Sequence, residues 1–114
     1  MSSKVKKITR IIDEMASIIL ADSLSNLEVK ISINEKDIEI SFHHYHNNMT
    51  EQRLIEIEKT LNKPRRFELE SYYWTLIGET DVDQSLQLIG GLIDSAVVKK
   101  IESDLYITLV RINE

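Results

Sequence analysis

The chain has 114 residues, with 14 Lys plus Arg, 19 Asp plus Glu and no cysteine. The length suits one domain, and 42% hydrophobic with 29% charged residues excludes a disordered chain. The missing thiols exclude disulfides, thiolate metal centres and cysteine nucleophiles, and point towards a cytoplasmic protein.

Val5, Ile8, Ile11, Ile12, Met15, Ile18 and Ile19 recur at intervals of three and four. That is the period of an amphipathic helix with one buried stripe. Asp22, Ser23, Ser25 and Asn26 end it in a polar turn. Residues 1–4 are expected to be flexible, as untethered termini are. Lys4, Lys6, Lys7 and Arg10 make the first ten residues basic, which leaves a net charge of −9 on the rest. An acidic body repels phosphates, so nucleic acid is a disfavoured partner. The basic arm itself reads as a solvated terminus, with contact to an anionic surface as the alternative. Asp13 and Glu14 interrupt the apolar run behind the basic residues, so it does not read as a signal peptide. No segment approaches the ~20 apolar residues of a membrane span, so no membrane association is expected.

Leu27, Val29, Ile31 and Ile33 then alternate with polar residues, and so do Ile38, Ile40 and Phe42. Period two predicts half-buried strands, and the short polar link 34–37 makes them a β-hairpin with one face on a core. After a polar stretch, Asn48 or Thr50 can cap a helix carrying Leu54, Ile55, Ile57 and Leu61, which stops near Asn62. Pro64 at the start and Gly78 at the end favour a further helix between them, with a strand through Tyr72-Tyr73-Trp74 as the alternative. Leu86, Leu88, Ile89, Leu92 and Ile93 suit a helix capped by Asp83 or Ser85, although Gly90-Gly91 weakens it. A strand turning at the glycine pair is the other reading. Val97 to Ile101, the turn 102–104 and Leu105 to Ile112 form a second hairpin. Its last strand is apolar on both faces, which places it inside the sheet. On the helical reading of 85–94, helix, strand, strand occurs twice.

The whole is expected to be one α+β domain spanning 1–114. Two hairpins form an antiparallel sheet of about four strands, with helices packed mainly on one face.

All three histidines fall in His43-His44-Tyr45-His46. If the strand continues, His44 and His46 point the same way and could clamp a divalent metal, with His43 or a carboxylate nearby. The plain alternative is an exposed strand end that holds no cofactor. A second cluster is aromatic. On a helix, Phe67 and Trp74 share a face nearly opposite Leu69, Tyr73 and Leu76. A helix apolar on two sides is either central or offers one side to a partner, and Phe67, Tyr72 and Trp74 are the candidate partner-binding residues. Glu68, Glu70, Glu79, Asp81 and Asp83 read as a solvated acidic loop, because the glycine and closing glutamate of a calcium loop are missing. No phosphate loop, G-x-S-x-G elbow or zinc-helix motif occurs. The expected function is a non-catalytic cytoplasmic protein-interaction module: an adaptor, small acidic chaperone or regulatory subunit, self-association as a homodimer included. The alternative is a metal- or small-ligand-binding protein using the histidine cluster.

Overall fold

The computed structural model describes residues 3–63 and 82–113. Its elements are α1 (Ser3–Asp22), β1 (Leu27–Ile33), β2 (Asp37–His44), α2 (Glu51–Leu61), α3 (Val82–Leu92), β3 (Ser95–Ile101) and β4 (Asp104–Ile112). The expected helix between Pro64 and Gly78 lies outside the described residues. The four strands form one antiparallel sheet in the order β1-β2-β4-β3. The chain is therefore an α+β fold in which both expected hairpins are present and join through their second strands, β2 and β4. β4, apolar on both faces, is an interior strand.

The helices cover one face of the sheet. α1 buries Ile8, Ile11, Met15, Ile18 and Ile19, the stripe its periodicity predicts. α2 starts at Thr50, whose Oγ1 accepts from the Arg53 N–H at 3.2 Å, so the cap is Thr50 and not Asn48. α3 is a helix from Val82, earlier than a cap at Asp83 or Ser85 would place it. It packs against both α1 and α2. Gly90 explains the costly glycine in its middle. A Cβ there would lie 2.6 Å from the Thr60 carbonyl oxygen and 3.2 Å from the Leu61 Cα. The two helix backbones touch at that point.

On the sheet, Ile38, Ile40 and Phe42 of β2 and Leu105, Ile107 and Leu109 of β4 fill the core. Arg111 follows in the same phase and is buried. Its Nη1 donates to the Leu92 carbonyl at 2.7 Å, a cation set against the C-terminal carbonyls of α3.

The two sheet edges differ. β3 is covered by α2. Asn62 donates through Nδ2 to the Ala96 carbonyl (2.8 Å) and accepts the Ala96 N–H through Oδ1 (2.9 Å). The Glu58 carboxylate accepts the next outward N–H, that of Val98, at 2.7 Å. Among the described residues β1 has no such cover. Asn34 N–H donates to the Asp37 carbonyl and Tyr45 N–H to the Asn26 carbonyl, which sets the phase of the ladder. Even-numbered residues of β1 bond to β2, and Leu27, Val29, Ile31 and Ile33 turn their backbone groups outwards. Among the described residues nothing bonds that outer side. The side chains of Val29, Ile31 and Ile33 lie on the core face yet are 41%, 43% and 66% exposed. The expected half-buried strand thus keeps Leu27 packed against the core, while Val29, Ile31 and Ile33 stay largely exposed.

Candidate functional site

The histidine cluster sits where three connections meet at one end of the sheet. The segment between β2 and α2 is tied to both neighbours. Asn48 N–H donates to Asp22 Oδ2 at 2.8 Å, and Asn47 N–H to the Ser103 carbonyl at 2.7 Å. Strand alternation then separates adjacent histidines onto opposite faces.

His44 turns inwards and is fully buried. Asn47 Nδ2 donates to its Nδ1 at 3.0 Å, which leaves Nε2 as the protonated nitrogen. That nitrogen donates to the Ser23 carbonyl at 2.9 Å and faces Ser25 Oγ at 3.0 Å. Ser25 Oγ in turn donates to the Tyr45 carbonyl. His44 therefore links the turn after α1 to the connection after β2, with both ring nitrogens engaged.

His43 turns outwards, into a cross-strand row with Glu28 of β1 and Tyr106 of β4. Its Nε2 lies 2.9 Å from Asp104 Oδ2 and its Nδ1 3.3 Å from Glu28 Oε1. An imidazolium can donate to both carboxylates at once, whereas a neutral ring can donate to only one. Tyr45 Oη donates to the same Glu28 oxygen at 2.7 Å. The His43 ring is stacked between Tyr45 and Tyr106, with centroids 4.0 and 4.3 Å away. A shallow cavity of about 530 Å³ opens beside this stack, lined among others by Lys30, Ser41, Lys99 and Thr108.

His46 stands apart. β2 ends at His44, and His46 is exposed with φ 54°, in the left-handed region. Its backbone N–H donates to Asp104 Oδ1 at 3.3 Å. The alternation that would align His44 with His46 stops before His46 is reached. Among the described residues, no group of three or more His, Asp or Glu side chains is placed to hold a metal ion. Phe67, Tyr72 and Trp74 lie outside the described residues.

Carboxylates set the electrostatics. The hydrogen bond from His43 holds Asp104 below the ordinary carboxylate range; desolvation opposes it, and the His46 N–H adds to it. The bond to Glu28 raises the Tyr45 hydroxyl, helped by desolvation and by the charges of Glu28 and Asp104. On α1, burial pushes the Glu14 carboxyl up; Asp13 adds to this and Arg10 counters it.

A carboxyl lowered by folding contributes stability that is present above its unfolded pKa. That contribution disappears as the pH falls through the folded value. Asp104→Asn is therefore expected to lower the urea midpoint at neutral pH, and the gap to the parent protein should close in acid. A gap that is constant or widens in acid would contradict the assignment.

The partners of the histidines were not readable as motifs. Glu28, Asp104 and Tyr106 are 15, 61 and 63 positions from His43 and meet it only through strand register. No helix among the described residues is long and apolar enough to cross a membrane. Comparison with protein-family models, curated proteins and solved structures gives no match, so the geometry above carries the functional reading alone.

Proposed function

We propose that the chain is a non-catalytic cytoplasmic interaction module, of the adaptor, small acidic chaperone or regulatory-subunit kind. The observation that carries this reading is the contrast between the sheet edges. β3 is capped by Glu58 and Asn62, whereas among the described residues nothing bonds the outward backbone groups of β1, whose Val29, Ile31 and Ile33 are half-exposed. An open edge with apolar side chains is the template for strand addition. Phe67, Tyr72 and Trp74 belong to the same reading as aromatic anchors. The buried or paired state of His43 and His44 also supports it. Both His44 nitrogens are engaged by the Asn47 amide and the Ser23 carbonyl, and both His43 nitrogens face carboxylates.

Native mass spectrometry of the untagged protein, purified gently from its own cells, tests the proposal. The expected spectrum holds a protein complex, either a multiple of the 13.2 kDa chain or the chain with another polypeptide. A chain carrying only the added mass of a divalent metal or small molecule would replace the proposal with a ligand-binding function.

A further inference from the structure

We infer that the occupant of the open β1 edge is a second copy of the chain, joined antiparallel through β1 about a two-fold axis at Val29. The inference rests on the interaction-module reading and adds the identity of the partner and the register.

Backbone phase limits the choices. Leu27, Val29, Ile31 and Ile33 are the residues whose N–H and C=O point outwards, so these must face one another across the junction. If at least five residues of β1 are to pair, a two-fold axis can then pass only through Val29, Lys30 or Ile31. Side-chain charge selects among them. An axis at Lys30 sets Lys30 directly against its own copy. An axis at Ile31 sets Lys30 against Ser32. An axis at Val29 sets Glu28 of each copy against Lys30 of the other, twice, in the non-hydrogen-bonded positions where side chains come closest. Opposite charges there stabilise, and like charges repel. The same axis sets Val29 against Val29 and Leu27 against Ile31 on the core face. The half-exposed Val29 and Ile31 thereby gain apolar neighbours, and the sheet runs unbroken through both copies. The charged residues thus do two things. They disfavour the Lys30-centred register, and they match in the Val29-centred one.

Lys30 makes no hydrogen bond or ion pair among the described residues, so its reversal leaves the fold in place. Val29 bonds no neighbour with its N–H, so proline is tolerated there as on other edge strands. Sedimentation of the full chain from about 5 to 500 µM, a range suited to a small interface, should show a monomer–dimer equilibrium. Lys30→Glu should weaken it about tenfold or more, and Val29→Pro should abolish it, each with an unchanged circular dichroism spectrum. Glu28→Lys should also weaken self-association, and mixing it with Lys30→Glu should restore a dimer, because both cross-strand pairs become complementary again. If Glu28→Lys disturbs the His43 stack, the Lys30 and Val29 variants still decide. A chain monomeric throughout overturns the inference, as does a dimer indifferent to Lys30→Glu and Val29→Pro. Neither result removes the module reading, which stands or falls on the native complex.

Discussion

Gly90→Ala is expected to destabilise the protein by about 1–3 kcal/mol, the usual cost of overpacking a tight contact. Two effects oppose each other. Helix propensity favours alanine by about 1 kcal/mol, because glycine orders more backbone and buries no methyl. Sterics oppose it, since the new Cβ would lie 2.6 Å from the Thr60 carbonyl oxygen. That oxygen belongs to the backbone of α2 and has no rotamer that moves it away. Relief requires α3 to withdraw from α2. Such withdrawal loosens the packing of Leu54, Ile57 and Leu61 with the core side chains of α3, Leu86, Ile89 and Leu92, all in one cluster. Sterics win for that reason. For a domain of this size, each kcal/mol lowers the thermal midpoint by roughly 4–8 °C. A raised midpoint would mean that propensity dominates and that the helices are not in contact at Gly90.

The second large effect is expected at His44, where substitution by alanine should cost about 3 kcal/mol or more. The ring is fully buried, so water cannot replace its partners. Its loss leaves the buried Asn47 amide without its acceptor, removes one of two donors to the Ser23 carbonyl (the Ser25 N–H remains) and opens a cavity between two connections. An orphaned buried amide costs about 1–3 kcal/mol, and the cavity adds to it. His44→Gln keeps a donor near the Nε2 position and should fall between the parent and alanine. His46→Ala, at an exposed position, should stay within about 0.5 kcal/mol of the parent. Urea unfolding of the three variants checks the order. Equal effects at His44 and His46 would show that the buried network does not hold this end of the sheet together.

These two residues mark the limit of what local pattern reveals. Period-two alternation at 27–33 and 38–42 identified the first hairpin, and the doubly apolar run 105–112 identified β4 as interior, because both signals arise within one strand. Thr50 was readable as a cap from its place before an apolar-periodic run. Histidines in a row look like one cluster on paper. A strand sends neighbours to opposite faces, so His43 joins Glu28 and Asp104 while His44 joins Ser23 and Asn47. Gly90 looked like a defect in a helix, since nothing near it in the chain needs the missing side chain.

The amino-acid sequence by itself determined the helices α1 and α2, both hairpins, the buried stripe of α1 and the antiparallel α+β class, while it left α3 open between a helix and a strand turning at Gly90-Gly91. Those features follow from spacing over a few residues, where side-chain period and backbone geometry are the same information. The tertiary structure alone decided which sheet edge is closed and which is left unbonded among the described residues. Glu58 and Asn62 reach β3 from 40 and 34 positions away, and the alternation of β1 is the same whether or not a helix lies over it. Closure of the β3 edge depends on where α2 lies, and that is settled by packing between distant elements rather than by any property of β3 itself.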